Sequence, residues 1–158
     1  MQLTAQDIQQ QQFESRLSHF DFQLSWQLGQ SLQQRASAEN WPVAIEVYAF
    51  GQTLFLAALP GSSPDNLAWM TRKRNTVLRF GHASMLVGLN NQQNGKPMEQ
   101  QNWIAQSDYT DHGGSFPLIN MSGVVFGAVS VSGLPSEEDH QLALWGIQQL
   151  QRHLSQAE

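Results

Sequence analysis

The chain has 158 residues and a mass of 17.7 kDa, enough for about one domain that buries roughly two thirds of the surface its unfolded form exposes. With a net charge of −5 and no cysteine, thiol catalysis, thiolate metal ligation and disulfides are excluded, and broad binding to a phosphate backbone is not expected. Charged residues make up only 13%, about half the usual share, so copies repel one another weakly and self-association is favoured. The first twenty residues lack a basic start followed by an apolar run, and no apolar run approaches about 18 residues. The expectation is a soluble, cytoplasmic protein with no nucleic-acid or membrane partner.

Thr4-Ala5-Gln6-Asp7 reads as a capping box opening a helix to about Leu17, with the glutamines Gln9 to Gln12 forming a solvated face. After a break at His19 to Asp21, Leu24, Leu28 and Leu32 recur every four residues towards Arg35, a second amphipathic helix that ends in the polar stretch Ser37 to Asn40. From Pro42 the period becomes extended. Val43 to Phe50 predicts a strand, Gly51-Gln52 a type II′ turn, and Thr53 to Leu59 the returning strand. Neither a composition shift nor an internal repeat divides the chain. It is read as a single domain over 1–158, with N-terminal helices over 1–40 and an α+β core over 41–158.

Ser63 is the predicted N-cap of a helix that takes Pro64 at its first position and runs to His82. This helix carries four of the eight basic side chains. At about 100° per residue, Leu67, Met70, Val77, Leu78 and Gly81 share one stripe, Trp69, Thr76 and Phe80 a second, and Arg72, Asn75, Arg79 and His82 a polar third. Arg74 falls within the first apolar stripe, where a guanidinium needs a partner. Glu46, in the middle of the first strand, is within reach if the helix lies across the sheet.

Ala83 to Leu89 predicts a short helix, Asn90 to Gln101 a polar loop, and Phe116 to Ile119 a strand whose proline favours an edge or a strand start. Val124 to Ser132 is a second such strand, with Gly127 marking a bulge or a close approach. Ser136 caps the last helix and is followed by three carboxylates; Ala143, Ile147, Leu150 and Leu154 form its buried stripe. His140, in the first turn, is expected to be neutral or paired with a neighbouring acid, and His19 and His153 to lie at the surface. Asp108, Asp111 and His112 could hold a cation if their loop folds inward. No H-x-x-x-H or H-E-x-x-H spacing is present, so no metal site is assigned. The serine-nucleophile elbow, the Rossmann fingerprint and the P-loop are also missing, which leaves covalent catalysis without a candidate.

The segments DNLAWMTRKRNTVLRFGH, HGGSFPLI and GVVFGAVSVSGLPSEEDH, in this order, resemble the GlcG-like or haem-degrading-domain (HbpS-like) superfamily, and more narrowly its cytosolic branch, over about residues 40 to 155. The resemblance implies a profilin-like α+β fold, a central antiparallel sheet flanked by helices, and assembly into homo-oligomers, either rings or larger symmetric assemblies. It also implies that a small, anionic, partly apolar ligand is bound, with haem or another tetrapyrrole possible. Haem needs an apolar slot, an axial ligand and cations for its propionates. Arg72, Arg79 and His82 could supply the cations and the ligand, with Trp69 and Phe80 as a wall. The same residues read equally as a solvated basic edge closed by a histidine. The candidate ligand-binding or assembly site is therefore Arg72, Arg74, Asn75, Arg79 and His82, completed by His112, Gly113 and Gly114. Three readings stay open: a ligand-binding domain, an assembly protein without a small ligand, and a haem-degrading enzyme.

Overall fold

The computed structural model describes residues 2–157. The order of elements is α1 (Ala5–Glu14), α2 (Phe22–Ala38), β1 (Ala44–Ala49), β2 (Gln52–Ala58), α3 (Pro64–Phe80), α4 (Ser84–Gln93), a 3₁₀ turn (Met98–Gln100), β3 (Ser115–Ile119), β4 (Val125–Ser132) and α5 (Ser136–Ala157). The four strands form one antiparallel sheet in the order β2-β1-β4-β3. Helices flank it on both sides, the profilin-like α+β arrangement that the family resemblance implies.

The alternation of β1 decides the layers. Ile45, Val47 and Ala49 join the main apolar core with Leu28 and Leu32 of α2 and Ile147 of α5. Successive strand residues face opposite ways, so Glu46 and Tyr48 look out on the other side, where Arg74 of α3 meets both. The α2/α5 face is therefore apolar. The α3 face is polar, and includes Ser115 and Ser130, whose hydroxyls bond at 2.8 Å. Pro117 sits on β3, an edge strand, as its missing N–H requires. Gly127 faces Ala49 across the β1–β4 ladder, and a Cβ there would strike the Tyr48 carbonyl, so its role is close approach of the backbone.

Several local expectations need correction. α1 stops at Glu14 rather than Leu17, because Leu17 leaves the helix to donate its N–H to the Ile119 carbonyl at 2.8 Å. The hairpin turns at Phe50-Gly51, not Gly51-Gln52: Ala49 pairs with Gln52, and both central residues have positive φ (56° and 76°), as type I′ requires. The glutamine run is not a wholly solvated face, since Gln12 is buried and bonds the next helix junction. α4 continues to Gln93, four residues beyond Leu89.

The larger revision concerns α3. Met70, Lys73, Thr76 and Val77 form its buried face, while Leu78 is 40% exposed. The cation that lies deep is thus Lys73. Its Nζ donates to Asp139 of α5 at 3.1 Å and to the Val131 carbonyl at 3.3 Å. Of the three carboxylates opening α5, Asp139 is consequently an interior group, 1% exposed.

Candidate functional site

Asn66 at the third helical position of α3 accepts the Ser63 N–H at 2.9 Å, Pro64 stands in the first turn, and Gly81 ends the helix in the left-handed region (φ 72°). Between those ends, three side chains spaced along one edge hold a single loop. Arg72 donates Nε and Nη2 to the Tyr109 carbonyl at 3.3 and 3.2 Å. Asn75 Nδ2 donates to the Asp108 carbonyl at 3.0 Å, and Thr76 Oγ1 to the Thr110 carbonyl at 2.7 Å. The loop carbonyls thereby gain partners that no strand or helix supplies. The edge that reads as basic in sequence is, in space, the clamp that sets the position of His112.

His112 stacks on Trp69 of α3, ring centroids 5.1 Å apart and nearly parallel, and its Nε2 lies 3.0 Å from Glu99 Oε1. Arg72 packs over the same indole at 4.2 Å. Beside this imidazole runs a groove of about 510 Å³, within the usual range of small-molecule sites, floored by Met85, Leu89 and Pro97. Gly113 forms part of its wall. A Cβ at Gly113 would come within 2.7 Å of the Ser136 carbonyl and 3.2 Å of Met85, so the loop lies flat against α4 and α5 only with glycine there. Gly114 (φ 139°) faces inward, where a Cβ would lie 2.8 Å from Lys73 Nζ.

The remaining candidates go elsewhere. Arg74 pairs with Glu46 through Nε and Nη2 at 2.9 and 3.3 Å and lies over Tyr48, so the apolar-stripe arginine meets the carboxylate expected for it. Arg79 is exposed among the rings of Phe80, Trp103 and Tyr109, 5.0 to 5.7 Å from their centroids. His82 accepts the Gln12 amide on Nδ1 at 3.2 Å, while Gln12 Oε1 accepts the Ala83 N–H at 2.8 Å; this joins α1 to the α3–α4 junction. The structure thus unites Arg72, Asn75, His112 and Gly113 around one loop, leaves Arg79 against the Tyr109 ring of that loop, and separates Arg74 and His82 from it.

Glu99 is absent from the sequence reading. It stands 13 residues before His112 on a 3₁₀ turn, with no spacing motif to join them. Together with Asp111 these residues offer three ligand atoms within 4.8 Å of one another; Asp108, named from the sequence, is not in that group. Asp111 Oδ2 already accepts from Asn91 Nδ2 at 3.0 Å and from the Met98 N–H at 3.1 Å, which anchors the 3₁₀ turn to the loop. His140, by contrast, is wholly buried. Its Nε2 donates to Gln11 Oε1 at 2.8 Å, so its partner is an amide and not a neighbouring acid. Burial lowers its pKa from 6.5 to about 4, and Nδ1 has no partner to receive a second proton.

Among the described residues no helix is long and apolar enough to cross a membrane. A protein described as UPF0303 from Psychromonas ingrahamii is 47% identical over 140 residues, 88% of this chain and 87% of its own length. A second, from Streptomyces coelicolor, is 42% identical over 146 residues, 92% of each chain. The solved structure of Ybr137w superposes with a TM-score of 0.85 at 28% identity, covering 94% of this chain and 89% of that one. The solved PduOC:Heme complex has the same fold, with a TM-score of 0.69 at 21% identity over 84% of this chain and 94% of that one. The model of the family described as haem degrading protein HbpS-like matches residues 20–148. Since that match spans most of the chain, the protein belongs to the HbpS-like family.

Proposed function

We propose that the groove floored by Met85, Leu89 and Pro97 binds a small, partly apolar anionic ligand, with haem as the first candidate, and that His112 meets it. The observation that carries this reading is the imidazole held at the groove between the Trp69 ring and the Glu99 carboxylate. A metal-ligating histidine commonly gives its second nitrogen to a carboxylate, which orients the ring. With Nε2 on Glu99, His112 has that arrangement, and its Nδ1 bonds no other group among the described residues. The lining itself carries the carboxylates of Glu99 and Asp111, so the cations that would offset ligand carboxylates are those outside it, Arg72 on the same indole and Lys96, exposed between the lining residues Gly95 and Pro97. The family description and the haem complex of the structural relative support the same ligand class.

Titration with haemin, followed at the Soret band, tests this. The expected result is a saturable shift in the unaltered protein that weakens at least about tenfold in His112→Ala. The Arg79→Ala, His82→Ala double variant should bind as before, because neither side chain lines the groove: Arg79 meets only the Tyr109 ring of the His112 loop, and His82 bonds Gln12. An identical titration for His112→Ala, or loss of binding only in the double variant, would overturn the assignment to this groove. Turnover requires a reductant as well as bound iron. Loss of the Soret band with an external electron donor, in the presence of catalase and absent without protein, is the result that would make the protein an enzyme.

Assembly of copies is a second reading with its own observation. Phe20, Phe22, Phe50 and Phe126 form one aromatic cluster, with centroids 5.2 to 6.2 Å apart. Phe22 and Phe50 remain 55% and 52% exposed. The cluster lies at the tip of the hairpin whose β2 is an edge strand, and exposed Leu56 sits along that edge. Phe50 also holds a positive φ that costs a non-glycine residue roughly 1–2 kcal/mol. In Phe50→Asn the relief of that strain offsets the lost ring contacts, so stability should change by less than about 1 kcal/mol. The mass measured by light scattering should fall towards 17.7 kDa. An unchanged mass would remove the cluster from any interface between copies.

A further inference from the structure

The end of α2 builds a second, separate site. Asn40 adopts a left-handed conformation (φ 57°); its N–H donates to the Ser37 carbonyl at 3.1 Å, and the Trp41 N–H donates to the Ala36 carbonyl at 2.9 Å. Those two bonds are a Schellman motif, which turns the residue after the cap back over the last helical turn. Trp41 is thereby folded onto Arg35, with the guanidinium carbon 5.5 Å from its ring centroid. Trp145 of α5 approaches the same guanidinium at 4.5 Å. With the Gln149 amide turned so that its oxygen faces Trp145, the indole Nε1 donates to it at 3.2 Å and is fixed in place.

Stacking occupies the faces of a guanidinium and leaves its N–H donors along the edge. Arg16, Arg72 and Arg74 each donate to a carbonyl or carboxylate, whereas Arg35 has no recorded acceptor among the described residues. It lines a pocket of about 310 Å³, at the small end of ligand sites, whose apolar walls are Trp41, Trp145, Leu134 and Leu142. Glu138 lines the same pocket and forms no recorded ion pair, with Arg35 or with any other described cation. One small pocket thus carries a positive and a negative side chain that form no ion pair with each other.

We infer that the pocket between Arg35, Trp41 and Trp145 binds a free α-amino acid with an apolar side chain. The carboxylate takes the guanidinium fork, which suits it in a bidentate fashion, and the indoles have already removed the rotamer freedom that a surface arginine loses on binding. The ammonium faces Glu138, and the side chain lies along Leu134 and Leu142. Dicarboxylates are disfavoured by Glu138 and polyamines by Arg35. This pocket is distinct from the His112 groove, and its occupant does not depend on what that groove binds.

Isothermal titration of the full chain with leucine, leucinamide and 4-methylpentanoate tests the inference. The expected result is saturable binding of leucine at one site per chain, weakened at least about tenfold when either the carboxylate or the amine is removed. Arg35→Gln should abolish leucine binding and leave the haemin titration unchanged. Glu138→Gln, at an exposed position, should weaken leucine but not 4-methylpentanoate. The Glu138 variant carries the test by itself if Arg35→Gln proves unfolded by circular dichroism. Leucine binding that is absent, or leucinamide binding as tight as leucine, or leucine affinity unaffected by Glu138→Gln, would overturn it.

Discussion

Asp139→Leu is expected to cost about 3–5 kcal/mol of folding stability, measured by urea denaturation at neutral pH. The reason is what remains behind. Asp139 accepts from Lys73 at 3.1 Å, from the Leu134 N–H at 2.9 Å and from the Gly133 N–H at 3.3 Å, and it is 1% exposed. Removing the carboxylate orphans two backbone donors and strands a buried ammonium whose remaining acceptor is the Val131 carbonyl. Desolvation is the largest influence on both partners, raising the Asp139 pKa and lowering that of Lys73. A buried ion pair is in general a poor source of net stability, because the desolvation of both charges offsets much of their attraction. Lys73→Met should accordingly be the milder single change, because Asp139 keeps its two N–H donors and can take a proton. The double variant Lys73→Met, Asp139→Leu should be more stable than Asp139→Leu alone, since it removes the uncompensated charge. A double variant no better than that single one would show that the backbone bonds, and not the stranded ammonium, carry the penalty.

Acid should destabilise the protein through His140. Its folded pKa of about 4 lies below the ordinary 6.5, so above pH 6.5 the ring is neutral in both states and its full contribution is present. As the pH falls from 6.5 towards 4, the unfolded chain takes up a proton that the folded one refuses. Stability then drops by about 1.4 kcal/mol per unit, or about 3 kcal/mol across the window. The ring faces Phe116, 5.5 Å away, and Gln11, and its Nδ1 has no acceptor for the new proton, so burial gives no compensation. The raised pKa of Asp139 acts in the opposite sense, with stability lost as pH rises through it, so the single-site signal is a difference between proteins. Urea midpoints at pH 7.5 and pH 4.5 should fall much less for His140→Gln than for the unaltered chain. Equal drops would assign the acid sensitivity to other groups.

How far the chain could be read in advance follows from particular residues. The two hairpin strands, the Ser63-Pro64 helix start and the edge-strand proline rest on backbone chemistry that acts over a few residues, and they appear as expected, although the hairpin turn falls one residue earlier, at Phe50-Gly51. The Arg74–Glu46 pair was legible as one of the options, because a guanidinium in an apolar stripe needs a carboxylate, backbone carbonyls or an anion, and β1 carries a carboxylate within reach of a helix laid across the sheet. Lys73 was missed although it lies three residues after Met70 and four before Val77, the spacing of the buried stripe; its charge concealed its place. Glu99 had no local signal, since it reaches His112 only through the anchored 3₁₀ turn.

By itself the sequence determined the family and the α+β class, together with a set of polar side chains concentrated on one helix. Motif identity and hydrophobic period are local properties that the chain carries unfolded. Which of those side chains share a site was decided only by tertiary structure. Arg72 and Asn75 found carbonyls 33 to 37 residues away, His82 found a glutamine on α1, and Arg35 was enclosed by an indole from the opposite end of the chain. Such partners are chosen by the need of each buried or half-buried donor for an acceptor. The packing of helices on the sheet determines which acceptors come within reach.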